Sequence, residues 1–115
     1  MQTLDEWLVE FKGKTIRHMR TLHKDNSVVP SVEIEFIEGD KYEVLVREGA
    51  FFEGCMLNTL RKAQPVVDVT WDREGADVCI EVSAETFPLF ILLATNKKAP
   101  LGAFPFWLQA EVDDA

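Results

Sequence analysis

Few side chains in this sequence are suited to acid–base or metal chemistry, and the two histidines come first. His18 and His23 are five residues apart, which places them on different faces of a helix and on opposite faces of a strand. Both lie in a basic stretch, which disfavours an imidazolium and repels a metal cation. Neither is near a cysteine, so the usual spacing of a zinc site is missing. The pattern predicts solvated surface histidines and no metal site.

Nucleophile and phosphate motifs are equally incomplete. Gly13-Lys14-Thr15 matches the end of a phosphate-binding loop, but the first glycine of that loop falls on Leu8, so the backbone cradle is missing. Cys55 and Cys79 lie among apolar residues, which is typical of free, buried thiols; a disulfide between them is the less favoured alternative. Cys55 has no identifiable acid–base partner. We therefore predict no catalytic residue and no cofactor.

Carboxylate pairs are the most frequent chemical feature. Paired acids can act as general acid and base when burial separates their pKa values. Each pair here falls on a predicted exposed strand face, in a turn or at the terminus, so we predict solvated carboxylates. The pairs are Glu33 with Glu35, Asp72 with Glu74, and Asp113 with Asp114.

Charge is distributed unevenly along the chain. The net charge is −8, from 20 acidic and 12 basic residues among 115. Residues 12–24 hold five bases and no acid, so the remainder of the chain carries −13. This asymmetry is typical of a solvated face, or of a protein with two electrostatic faces of which one docks a partner. The negative total argues against nucleic acid and anionic membranes as direct ligands.

The first half of the chain predicts one helix and three strands. Thr3-Leu4-Asp5-Glu6 has the form of a capping box and predicts a helix over 4–12, ended by Gly13. Residues 15–23 fit either a continued helix or a strand, and we favour the strand because glycine is poor in a helix interior. Alternating apolar residues over 32–36 and 42–46 predict a hairpin.

A second hairpin is predicted over 67–71 and 78–82, and the hydrophobic pattern suggests a register for both hairpins. In the first hairpin, that register also sets Glu33 opposite Arg47. The expected pairs are Phe36 with Val44 and Ile34 with Val46 in the first hairpin, and Trp71 with Val78 and Val69 with Ile80 in the second.

Two further helices complete the predicted fold. Apolar residues at helical spacing indicate a helix over 50–62, and residues 86–95 fit a short helix or, alternatively, a buried strand. The prediction is therefore a single α+β domain over 1–115. It consists of an antiparallel sheet of two hairpins packed with two to three helices, in the order α-β-β-β-α-β-β-α.

This order of elements is similar to that of the chaperones of type III secretion effectors, although no sequence motif is shared. The resemblance implies a homodimer that holds an unfolded client segment on apolar strand surfaces. Gly54 within the second helix and the apolar tail depart from that pattern.

The function predicted from these features is non-enzymatic protein binding. One surface is an acidic strand face, and the other is an aromatic tail that packs as a final strand or helix or anchors a partner. The expected partner is another protein, one with a basic surface or a second copy of the chain. The predicted partner-binding residues are Glu33, Glu35 and Glu43 on the strand face, and Phe104, Phe106, Trp107 and Leu108 in the tail.

Two alternative functions stay open from sequence. An acidic inhibitor of the kind used by phages and plasmids would imitate nucleic acid and block a basic groove of a host enzyme. A small α+β enzyme would assemble its site from scattered residues. The start of the chain lacks a basic segment and an apolar signal core, and its longest apolar run, 87–94, is too short to cross a bilayer, so we expect a cytoplasmic protein.

Overall fold

A computed structural model of the chain describes residues 4–22, 31–46, 49–96 and 104–110. These residues form one helix, α1 (Leu4–Phe11), and nine strands. The strands are β1 (Thr15–Leu22), β2 (Ser31–Phe36), β3 (Lys41–Val46), β4 (Phe51–Leu57), β5 (Gln64–Pro65), β6 (Asp68–Glu74), β7 (Asp77–Ser83), β8 (Pro88–Thr95) and β9 (Phe106–Ala110).

The strands form two antiparallel sheets. The first sheet has the order β5-β1-β2-β3-β9, and the second has the order β4-β8-β7-β6. The chain passes between the two sheets at several points, one of which lies between β5 and β6. There the N–H of Val66 donates to the carbonyl of Lys14 (2.8 Å), and the N–H of Val67 donates to the carbonyl of Ser83 (2.9 Å). The two sheets are therefore joined by main-chain hydrogen bonds along one side.

The core lies between the two sheets and includes the helix. Trp7 and Phe11 of α1 are fully buried. The Phe11 ring contacts Phe36 of the first sheet (5.6 Å between centroids) and Phe90 of the second (6.1 Å). The helix therefore links the apolar faces of both sheets through aromatic contacts.

The predicted α+β class is wrong, because the second and third predicted helices are strands. Residues 51–57 form β4, an edge strand paired with β8. The four-residue spacing of Phe52 and Met56 suggested a helix, but a bulge between Phe52 and Gly54 places these two residues on opposite faces of the strand. Residues 88–95 form β8, which lies between β4 and β7. An apolar run of this length is typical of a buried strand as well as of a helix.

The helix at the N-terminus and the strand after it are confirmed. α1 ends at Phe11, two residues before Gly13, whose φ of 90° is outside the helical region. Thr15–Leu22 forms β1. The resemblance to the secretion chaperones, in contrast, loses its basis, because it rested on an order of elements that the fold does not have.

Both hairpins form, but both predicted registers are wrong. In the first, Val32 pairs with Val44, and Glu33 faces Glu43 rather than Arg47, which lies outside the described residues. In the second, Trp71 pairs with Ile80, since a two-residue turn joins Glu74 to Asp77. Each error shifts the pairing by an even number of residues, so the predicted apolar faces are kept.

Candidate protein-binding surface

The predicted acidic strand face is the outer face of the first sheet, where basic neighbours pair with its carboxylates. The Glu33 side chain is 8% exposed and accepts from Arg20 Nε (2.9 Å) and Nη2 (3.3 Å). Glu35 lies between two cations, Arg17 Nη1 (3.6 Å) and Lys41 Nζ (3.5 Å). Because β1 pairs with β2, the basic stretch neutralises the acids that the sequence suggested as a surface.

Glu43 is the third predicted acid, and it is also buried, with 7% exposure. It is the cross-strand partner of Glu33 and accepts from the hydroxyl of Ser31 at 2.6 Å. Like charges that face each other across two strands are unfavourable. The Arg20 guanidinium offsets that repulsion at Glu33, and the Ser31 hydroxyl satisfies one Glu43 oxygen. These three acids therefore contribute mainly to the internal structure of the first sheet.

The predicted aromatic tail divides between the core and the surface. Phe104, Phe106 and Leu108 are buried, with exposures of 7%, 0% and 8%. Trp107 points to the opposite face of β9, where it is half-buried beside its cross-strand partner Leu45. The tail is a final strand, and of its predicted binding residues only Trp107 keeps appreciable exposure.

A different acidic surface lies on the outer face of the second sheet. Alternation along β6 and β7 directs five carboxylates to this face. Within the part of the chain that the structure describes, none of the five forms an ion pair. Arg73 is the one basic residue in the four strands of this sheet, and it alternates to the opposite face. The five are Asp68, Asp72 and Glu74 of β6, with Asp77 and Glu81 of β7.

Local hydrogen bonds hold three of these carboxylates in place. Asp68 Oδ1 accepts from the N–H of Val69 (3.0 Å), and Asp72 Oδ1 accepts from the N–H of Arg73 (2.9 Å). Glu81 Oε2 accepts from the Ser83 hydroxyl (3.0 Å). Each carboxylate keeps lone pairs for a partner, because a carboxylate accepts about four hydrogen bonds.

The other half of the same face is apolar. Phe51 and Met56 of β4 are 44% and 39% exposed, and Ile91 and Leu93 of β8 are half-buried beside them. Gly54, the cross-strand partner of Leu93, adds no side chain between them. Four strands place the acidic edge about 14 Å from the apolar edge. We call the five carboxylates and these four apolar side chains the acid–apolar face.

A pair of unsatisfied oxygens lies where the two halves meet. Asp77 and Thr95 are cross-strand partners, and Thr95 is 5% exposed. Asp77 Oδ1 and Thr95 Oγ1 are both buried, with no hydrogen-bond partner among the described residues. Buried polar atoms normally have partners, so this pair is an exception within the described part of the chain.

The thiols lie on opposite faces of the second sheet and are both free. Cys55 is exposed, so the prediction that it is buried is wrong; Cys79 is half-buried in the acid–apolar face. Partial loss of solvation raises the pKa of both thiols, and the carboxylates of Glu81 and Asp72 raise the pKa of Cys79 further. A raised pKa lowers the thiolate fraction that nucleophilic chemistry requires.

The two histidines are the remaining candidate residues. His18 is exposed on β1, and His23 lies outside the described residues. Among the described side chains, no group of three or more His, Cys, Asp or Glu residues is arranged to hold a metal ion. No helix in the described ranges is long and apolar enough to span a membrane.

No protein-family model, curated protein or solved structure matches the chain. The acid–apolar face itself is therefore the basis for inferring a function. Sequence reasoning treated Asp72 and Glu74 as a solvated pair and did not group them with the other three carboxylates. The available signal was the alternation of acids with Val69 and Trp71 along one strand that carries a single base.

Proposed function

We propose that this chain is a non-enzymatic protein-binding module that docks a partner on the acid–apolar face. The observation that carries the proposal is the set of five carboxylates without an ion pair among the described residues, beside exposed and half-buried apolar side chains. Charge complementarity defines the partner as a protein surface on which lysine or arginine flanks apolar side chains. Unpaired acids attract such a surface, whereas the acids of the first sheet already have cations beside them.

The two halves of the face have separate physical roles in this proposal. The carboxylates accelerate association and orient the partner, because electrostatic complementarity acts mainly on encounter and register. The apolar half supplies affinity when it loses water, at roughly 25 cal/mol per Å² of apolar area. Salt should therefore weaken binding without abolishing it, since only the first contribution is screened.

The inhibitor hypothesis from sequence was based on the negative charge outside residues 12–24 and on Glu33, Glu35 and Glu43, which have partners in the first sheet. The acid–apolar face offers such an inhibitor a different row of acids. Asp72 and Glu74 are neighbours about 6.8 Å apart on one face of β6, and Asp68 lies two positions further along that face. Such a row favours a basic groove that otherwise holds nucleic acid. The partner of an inhibitor would bind DNA or RNA in competition with this chain. Competition by nucleic acid therefore separates the two functions.

Two peptides of equal charge test the chemistry of the face. In one, lysine alternates with leucine, and in the other lysine alternates with serine. Titration into ¹⁵N-labelled protein should shift amides of β4, β6, β7 and β8, and the leucine peptide should bind more tightly. Binding of both should weaken between about 0.05 M and 0.5 M salt. Shifts confined to the first sheet would instead favour the surface predicted from sequence.

Matched variants extend the test to the natural partner. The double variant Asp72→Asn/Glu74→Gln removes two charges from the face, and Glu38→Gln/Glu85→Gln removes two exposed charges elsewhere. Proteins captured from host lysate by the wild type should be lost with the first variant and retained with the second. Equal capture by both variants, or equal peptide affinity, would refute the proposed surface.

A further inference from the structure

A surface hollow of about 480 Å³ lies at one end of the second sheet, apart from the acid–apolar face. Its volume is within the ~300–1,000 Å³ typical of small-molecule sites. Three parts of the chain build it: the connection after β4, the first residue of β5 and the turn before β8. Its lining residues are Thr59, Leu60, Arg61, Lys62, Gln64 and Phe87.

Hydrogen bonds fix the walls of the hollow. Asn58 anchors the connection after β4, because its N–H donates to the carbonyl of Leu89 (3.0 Å) and its side-chain amide donates to the carbonyl of Pro88 (3.1 Å). The turn before β8 is closed by the N–H of Ala84, which donates to the carbonyl of Phe87 (2.9 Å). Gln64 is held by the pairing of β5 with β1. The hollow is therefore formed before any ligand arrives.

The lining of the hollow has an apolar part and two positively charged side chains. Leu60 and Phe87 are partly buried and pack against the core. Arg61 and Lys62 are exposed and form no ion pair within the described part of the chain. Lys14, by comparison, reaches Asp40 at 2.7 Å, as other cations of the first sheet reach their own carboxylates. Within the described residues, Arg61 and Lys62 are therefore open to an anion from outside the chain.

We propose that this hollow binds a small organic anion: a phosphate or carboxylate group attached to an aromatic or aliphatic body. Arg61 presents a planar fork that suits either anionic group, and Lys62 adds a second positive charge. Gln64 and Thr59 supply further hydrogen bonds at the rim, while Phe87 and Leu60 contact the apolar body. The net negative charge does not prevent binding, because charges beyond about 8 Å are largely screened at physiological salt.

Titrations of ¹⁵N-labelled protein with four probes test this site. Phenyl phosphate and benzoate carry both chemical features, inorganic phosphate carries the charge alone, and benzyl alcohol carries the ring alone. At least one of the first two should shift the amides of 59–64 and 87, and should bind more tightly than inorganic phosphate and benzyl alcohol. Phenyl phosphate and benzoate also distinguish a phosphate ligand from a carboxylate ligand.

Two variants test whether Arg61 and Lys62 bind the anionic group of the probe. Arg61→Gln/Lys62→Gln should weaken binding of the preferred probe about tenfold or more, because charged hydrogen bonds are lost. Lys12→Gln changes an exposed cation outside the hollow and should leave the affinity within about twofold of the wild type. Unchanged amide spectra outside the hollow show that each variant is folded.

Three results would overturn this site: no shifts in the hollow, unchanged affinity in the double variant, or equal affinity for inorganic phosphate. Each is independent of the acid–apolar face, because the two surfaces share no residue. Failure of the peptide titrations would leave the anion site standing, and the reverse also holds.

Discussion

Replacing Phe106 by alanine tests whether the aromatic tail belongs to the core. Phe106 is fully buried on the inner face of β9. Its ring contacts Trp7 at 6.3 Å, Phe52 at 5.6 Å and Phe104 at 5.9 Å between centroids. The substitution removes the ring from the point where α1, β4 and β9 meet, and its three aromatic neighbours cannot fill the space without moving.

The loss of stability expected for Phe106→Ala follows from the buried, aromatic surroundings of this ring. Deleting a buried phenylalanine ring typically costs about 3–5 kcal/mol, and lost aromatic contacts favour the upper part of that range. A domain of this size is stable by about 5–15 kcal/mol, so Phe106→Ala should remove a large share of the free energy of unfolding. Trp107→Ala is the matched control on the outer face of the same strand. It should cost about 1–2 kcal/mol, since the ring is only partly buried.

Urea denaturation followed by circular dichroism measures both changes. With a slope of about 1–3 kcal/mol per M, Phe106→Ala should lower the midpoint by roughly 2 M, several times the shift for Trp107→Ala. Size-exclusion chromatography of Trp107→Ala tests the predicted self-association separately. A cost below about 1.5 kcal/mol for Phe106→Ala, or an equal cost for both variants, would refute the assignment of Phe106 to the core.

Two further predictions concern single residues. Gly75 has a φ of 62° with open space on the side where a Cβ would lie. Gly75→Ala should therefore lower the free energy of unfolding by about 1–2 kcal/mol through backbone strain alone. Gly75→Asn should lower it less, and thermal unfolding measures both variants. Burial and the hydrogen bond with Glu10 raise the pKa of Tyr42 above its usual 10.0. The stability from Tyr42 is therefore complete below pH 10 and lost as the pH rises through the folded-state value. Tyr42→Phe should reduce this alkaline loss in urea midpoints measured across that range, and an unchanged slope would contradict the effect.

Short sequence patterns correctly predicted those elements whose structure is determined by residues close together in the sequence. The capping box at residues 3–6 marks α1, and period-two alternation identified the inner faces of both hairpins. The helix over 50–62 was wrong because the spacing of apolar residues along the sequence does not show that this segment has a strand to pair with. Pairing with β8 then decided the outcome, and a bulge at Glu53 places Phe52 and Met56 on opposite faces of β4.

The candidate surface was missed because charge pairing depends on strand order. The bases of β1 and the acids of β2 are well separated in sequence, and antiparallel pairing brings Arg20 beside Glu33 and His18 beside Glu35. Counting charges along the sequence cannot show that these bases and acids lie beside each other in the sheet. It equally cannot show that the acids of β6 and β7 meet each other with no base between them.

Repulsion between acids of the second sheet connects the stability of the free protein with the proposed binding. Glu74 and Asp77 are cross-strand partners, an arrangement that destabilises a sheet by roughly 0.2–1 kcal/mol. In the first sheet, the Glu33–Glu43 pair has the same geometry, but Arg20 and Ser31 offset it. Within the described residues neither Glu74 nor Asp77 forms an ion pair, so a basic partner would relieve this repulsion on binding.

Glu74→Gln should therefore stabilise the free protein while weakening its complex with the lysine–leucine peptide. The gain in the free energy of unfolding should be a few tenths of a kcal/mol at low salt, and it should shrink as salt screens the repulsion between Glu74 and Asp77. Glu85→Gln, which removes an exposed charge outside the strands, should change neither quantity. If Glu74→Gln destabilised the free protein or left peptide affinity unchanged, the repulsion in the second sheet would have no connection with binding.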